Sequence, residues 1–185
     1  MKENIKVVFK NATKKQIKEG SNWYKDAYLF CNKLAKQHKV SVDKVIQLCA
    51  VFSPQAKWEV NKQILEEFLL GTTSKFLSQF QVKRATEILN NQYHLLDVSK
   101  GQKVNSFYNS IKNKGLGQDV CLDTHAINLA TNKINTVAEK SKIWSSKRYK
   151  IFQESYCEVA NELGVSPQQL QAITWVAWRE NLKNK

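Results

Sequence analysis

The chain has 185 residues, room for one well-buried body or two lobes sharing a seam and too few for two independent large domains. Lys and Arg outnumber Asp and Glu 29 to 16, and the net charge of +13 is spread along the whole length, which favours a polyanionic partner. No apolar run approaches the roughly 20 residues that span a bilayer and the N-terminal stretch lacks the apolar core of a secretion signal, so nucleic acid is favoured over a membrane and a cytoplasmic monomer is expected.

Two prolines, six glycines and a helical rather than alternating periodicity read as an all-α protein. A long helix is expected over residues 15–38, with Trp23, Ala27, Phe30 and Leu34 on its inward stripe. Ser41 then caps "VDKVIQLCAVF", apolar enough to be a central buried helix, and Pro54 ends it. "AKWEVNKQILEEFLLG" follows and stops at Gly71. Short helices are expected over "SKFLSQF" and "VKRATEILNN", another over "QKVNSFYNSIKNK", and one begins behind Asp123. The polar stretch 131–148, "TNKINTVAEKSKIWSSKR", is expected to be a substrate-facing loop. Two longer helices close the chain, the second with Ser166 as cap and Pro167 in its first turn.

Cys31, Cys49, Cys121 and Cys157 are widely spaced, without a C-x-x-C pair, and only three histidines are present. Reduced, buried thiols are expected, with no metal and no other cofactor.

Two stretches could carry chemistry. In "SKGQKVNSFYNSI", residues 99–111, Gly101 permits a close backbone approach to an anion at a helix start. Lys103 falls in the first turn of that helix, where the positive end of the dipole disfavours the ammonium and favours a nucleophilic amine. In "DVCLDTHAINLA", residues 119–130, a lone acid follows apolar residues and opens a helix. Asp123 there is either a cap alone or a cap that also faces positive charge.

This order of pieces resembles the helix-hairpin-helix DNA glycosylase superfamily. Its members carry a glycine-containing hairpin with a lysine at the start of the second helix, then a loop and an apolar-Asp-Thr-His sequence. The matching residues here are Gly101, Lys103 and "VCLDTHAINLA"; upstream, "LCAVFSPQAKWEVNKQ" is similar to the family's buried helix and Ser-x-Gln loop, and "VKRATEILNN" to the helix that enters the hairpin. The similarity covers about residues 45–133. One departure stands out: the family commonly reads Leu-Pro-Gly-x-Gly before the lysine, whereas "LLDVSKGQK" has one glycine and no proline.

The resemblance implies a compact two-lobed helical bundle, 45–133 forming a central lobe and the terminal helices the other. It implies an enzyme that flips a damaged or modified base, an oxidised purine or a modified pyrimidine, out of double-stranded DNA and excises it without a metal. Asp123 and Lys103 would be catalytic, the lysine adding a lyase step through a Schiff base. Gln55 would enter the duplex, Ser53, Lys100 and Gly101 would also bind DNA, and Trp58 and Asn61 would line the base pocket. Phe107, Trp175 and Trp178 read as core, while Tyr108 and Arg179 are unranked alternatives for the pocket. The competing expectation is a non-catalytic helical DNA-binding protein in which Asp123 only caps.

Overall fold

The computed structural model describes residues 1–97, 101–144 and 146–183. Among these the secondary structure is entirely helical, ten α-helices and one 3₁₀ turn, with no strand. The first helix, α1 (Lys2–Lys10), was not anticipated; it buries Ile5 and sets Lys2 against Glu158 and Lys6 against Glu162 at 2.5 Å.

Helix α2 (Lys14–His38) starts at a Thr13–Gln16 capping box and stops at left-handed Lys39. Its buried stripe is Gly20, Tyr24, Ala27, Cys31 and Leu34. Trp23 and Phe30, expected inward, sit half-buried on the edge. The stripe is rotated because Gly20 is the crossing point with the last helix, and Tyr24 donates from its hydroxyl to Gln171 there at 2.6 Å. Helix α3 (Val42–Phe52) is capped by Ser41, whose oxygen accepts from the Lys44 N–H, and every residue from Val45 to Phe52 is buried. That all-round burial is what an apolar helix without a polar face requires.

Helix α4 (Trp58–Leu69) ends before Gly71 at φ +85°. Helix α5 (Gln79–Leu89) begins at a Ser78–Gln81 capping box, so "SKFLSQF" forms no helix of its own: the cap lies inside it and residues 74–78 turn. After a 3₁₀ turn (Leu95–Asp97), helix α6 (Gln102–Lys112) starts from Gly101, whose φ of +96° suits glycine. Helix α7 (Thr124–Thr131) is short. Helix α8 (Val137–Ile143) lies inside the stretch expected to be a loop, because Thr136 and Glu139 form a capping box. Helices α9 (Ser146–Leu163) and α10 (Pro167–Lys183) close the fold, the Gln169 N–H donating to Ser166 Oγ at 3.0 Å.

The core falls into two clusters. One packs α2–α6 around Cys31, Leu48, Phe52, Leu65 and Ile111; the other packs α1 and α7–α9 around Ile5, Leu122, Ile127 and Tyr156. The segment 45–133 is shared between them, 45–111 in the first and 120–130 in the second. Helix α10 joins both, Ala172 on one side and Leu170 on the other, and it packs along α2 more extensively than any other helix pair. Helix α6 is tied to α3 through Asp43, which accepts from Tyr108 at 2.6 Å, Lys112 at 2.8 Å and Gln47 at 2.8 Å. Burial would raise the Asp43 carboxyl, but the hydrogen bonds from Lys112, Tyr108 and Gln47 outweigh it and hold the group below its ordinary range. Among the described residues no helix is long and apolar enough to cross a membrane, and no cluster of three metal-ligating side chains occurs.

A methyl group on Gly20 would stand 2.3 Å from the Ile173 Cα, a backbone atom that cannot swing aside. Gly20→Ala is therefore expected to lower stability by about 1–3 kcal/mol in urea unfolding. An unchanged midpoint would contradict the close α2–α10 crossing.

Candidate functional site

The three residues before Asp123 are neither helix nor strand, and Val120 and Leu122 are fully buried anchors in the second cluster. The Asp123 N–H donates to the Cys121 carbonyl at 3.1 Å, and side chains satisfy further peptide groups. The Tyr149 hydroxyl donates to the Val120 carbonyl at 2.9 Å and accepts from the Leu122 N–H at 3.0 Å. Trp144 Nε1 donates to the Leu122 carbonyl at 2.8 Å, and the Cys121 thiol donates to the Lys103 carbonyl at 3.6 Å. This last contact stitches the segment before Asp123 to the first turn of α6. Asp123 then caps α7: Oδ1 accepts from the Ala126 N–H at 2.8 Å, and Oδ2 accepts from Trp175 Nε1, also at 2.8 Å.

The carboxylate opens onto a cavity of about 430 Å³, and Lys103 lines the same cavity. Its aromatic walls are Trp23, Trp58, Phe107 and Trp175, whose rings lie 5.1, 6.0 and 5.7 Å from Trp23 for Trp58, Phe107 and Trp175 respectively. Arg179 stacks on the Trp175 ring at 4.2 Å, and the Lys103 ammonium lies 5.8 Å from the Trp144 ring. The charged lining residues are Lys57, Lys103 and Arg179 against the single acid Asp123, so the cavity favours an anionic ligand.

Two further titratable groups face it. Burial pushes the Cys121 thiol up to about 12, with Lys103 pulling it down and Asp123 pushing it up, so the sulfur stays protonated and is no nucleophile. Burial lowers the affinity of His125 for a proton; Asp123 opposes this, and Arg179, Lys140 and Lys103 add to it. His125 is therefore neutral at pH 7, and its buried Nδ1 has no hydrogen-bond partner.

Of the residues singled out in the sequence, Ser53, Gln55, Trp58, Asn61, Lys103 and Asp123 are all walls of this one cavity. Ser53 Oγ donates to the Ala50 carbonyl at 2.8 Å. Gln55 is exposed in a turn at φ +65°, a left-handed conformation that is costly for a side chain other than glycine. Asn61 is 2 % exposed; its Nδ2 donates to the Cys49 carbonyl at 3.1 Å and its Oδ1 is unpartnered. Gly101 lines a neighbouring groove instead, and Lys100 lies outside the described residues. Tyr108 is buried against Asp43, away from the cavity.

Phe107 and Trp175, expected as core, line the cavity, whereas Trp178 packs against the second cluster. Helical spacing placed Trp175 and Trp178 near one another but not which of them faced a gap between clusters. Trp23, expected on the inward stripe of α2, lines the cavity too, and Trp144 and His125 join it without having been singled out as site residues. His125 had a signal, since it stands two residues behind the Asp; Trp144 had none, being carried in by an unexpected helix.

A family model described as "Family of unknown function (DUF7178)" matches residues 1–182. The chain belongs to that family. No curated protein and no solved structure matches it.

In this DUF7178 chain the Asp123 carboxylate has one oxygen for each of two N–H donors. An amide at 123 offers only one oxygen, so Asp123→Asn leaves a donor unpaired and is expected to cost about 1–3 kcal/mol. In a Trp175→Phe background, which lacks the indole N–H, the same change should cost less. A double-mutant cycle by urea unfolding measures the difference, and zero coupling would rule out the Asp123–Trp175 bond as a contributor.

Proposed function

We propose that this DUF7178 member is a DNA glycosylase of the helix-hairpin-helix type that excises a damaged or modified base, with Lys103 able to add a lyase step. The observation that carries the reading is the convergence of Lys103 and Asp123, twenty residues apart, on one electropositive aromatic cavity. The helix order α5, α6 and Asp-opened α7 supports the reading, since the resemblance implies the same succession.

Cleaving an N-glycosidic bond builds positive charge on the deoxyribose. A carboxylate fixed by two N–H donors stabilises that charge more than it stabilises the neutral ground state. Asp123 fills this role. The Lys103 amine attacks C1′ as the C1′–N bond breaks, the electron pair leaving with the base, which takes up the proton lost from the lysine nitrogen. The C1′–O4′ bond of the resulting aminal then opens, O4′ taking up a proton, to give the iminium, which permits loss of a C2′ proton and β-elimination of the 3′ phosphate. Without attack by Lys103, a water takes its place and the product is an abasic site.

Turning a nucleotide out of a duplex costs on the order of a few kcal/mol. Gln55, exposed at the cavity rim, is the side chain that enters the stack and offsets part of it. The rings of Trp23, Trp58 and Trp175 offer π-faces to the extruded base, and the volume lies within the usual range for small-ligand sites. A second reading, a DNA-binding protein without chemistry, is favoured by one fact: both Asp123 oxygens already hold structural N–H groups.

The test is base release from duplexes carrying different modified bases, read by mass, together with borohydride trapping on an abasic duplex. A covalent adduct in the wild type that disappears in Lys103→Ala is expected, with release lost in Asp123→Asn after its fold is verified. No adduct and no release from any modified duplex would leave the binding-only reading.

A further inference from the structure

The turn carrying Gln55 and Ala56 borders a second opening, a groove of about 830 Å³. Its wall includes the end of α3, the first turns of α4 and α5, Tyr93, and Gly101 at the start of α6. Two large rings stand at this groove largely in water: Phe76 is 68 % exposed and Phe80 65 %. The Arg84 guanidinium lies 5.2 Å from the Phe80 ring and 4.3 Å from the Tyr93 ring, while Glu87 accepts from its Nη1 at 2.8 Å and fixes its plane. Arg84 is the one charged side chain among the described wall residues, and no carboxylate is among them.

Exposed rings interleaved with a planar cation form a platform on which flat heterocycles stack. Bases inside a duplex already stack on one another and have no face to offer; unpaired bases do. The positive end of the α6 dipole opens at Gly101 on the same wall, and Lys75 lies 5.6 Å from the Phe76 ring, so the groove also suits a phosphate backbone. A protein partner could also cover two phenylalanines, but a chain of net charge +13 with no acid on the groove wall suits a polyanion with aromatic faces better. Gln55 and Ala56 belong to both walls, so the two openings adjoin.

We propose that this groove seats unpaired nucleotides of single-stranded DNA beside the one taken into the first cavity. The preferred substrate is then a duplex interrupted beside the flipped nucleotide by a few unpaired ones, as at the edge of a bubble, so that Gln55 still enters the adjoining stack. The inference rests on the reading of the chain as acting on DNA, and it names the DNA structure that is acted on.

The test measures fluorescence anisotropy of a labelled oligothymidylate of about twelve nucleotides and of a blunt duplex of the same length. The proteins are the wild type, the double variant Phe76→Ala/Phe80→Ala, and Arg84→Lys, which keeps the charge and loses the planar stack. Both rings are exposed, so the double variant keeps its fold, as a thermal melt checks. The expected result is a loss of single-strand affinity of about tenfold or more in the double variant, a smaller loss in Arg84→Lys, and unchanged duplex affinity. Equal single-strand affinity in wild type and double variant, or equal loss on both DNAs, overturns the proposal. So does ring-dependent self-association without any effect on oligonucleotide binding, which would assign the groove to a second copy of the chain. Binding of unmodified DNA is read apart from base release, so ring-dependent binding without release keeps the groove and ends the glycosylase reading, and the converse keeps the glycosylase and ends the groove.

Discussion

Two N–H groups, one from the first turn of α7 and one from the Trp175 indole, hold the Asp123 carboxylate at the edge of a cavity. The cavity wall is built around that anchorage. The segment that delivers Asp123 is locked by the Tyr149 hydroxyl and the Trp144 indole, and through Cys121 it is bonded to the turn that carries Lys103. Because Trp175 rides on α10 and α10 crosses α2 at Gly20, the placement of the acid depends on a helix crossing with no room for a methyl group. A change in packing between the two clusters would reach the carboxylate through very few contacts.

The charge pattern makes sense in the same frame. A net charge of +13 is mostly surface, yet three cations and one acid are brought to a single cavity lined by aromatic rings. Under the proposed reading the cations draw a phosphate backbone, with an affinity that falls as salt rises. The rings would then offer a stacking surface to an extruded base. Asp123 is the one carboxylate in the described lining. Burial keeps Cys121 protonated and His125 neutral, so under the proposed reading Lys103 and Asp123 are the groups that would carry the chemistry.

Much of this was legible in the sequence where local chemistry decides. Thr, Ser and Asp caps set helix starts: Ser41, Asp123 and Ser166 each bond as their positions suggest. Helical periodicity located α2, α3, α4, α6, α9 and α10, and of the eight site residues expected from the sequence six line one cavity, while Gly101 lines the neighbouring groove and Lys100 lies outside the described residues. Periodicity failed where a cap overrode it. Ser78 turned "SKFLSQF" into a lead-in to α5, and Thr136 with Glu139 made a helix of a stretch that composition marks as a loop. It also failed for the tryptophans. An aromatic on an inward stripe looks the same whether it meets another helix or a gap between two clusters, so Trp23 and Trp175 read as core. Tertiary pairing, here between α2 and α10, decides that, and the chain alone does not display it.

The most direct measurement is a crystal structure of the protein with DNA containing a stable abasic-site analogue opposite the Gln55 turn. The account predicts the analogue's sugar inside the 430 Å³ cavity, between the Lys103 amine and the Asp123 carboxylate, with the Gln55 side chain occupying the vacated space in the helix. DNA bound on another face, with the cavity empty and the carboxylate turned only to Ala126 and Trp175, would contradict it.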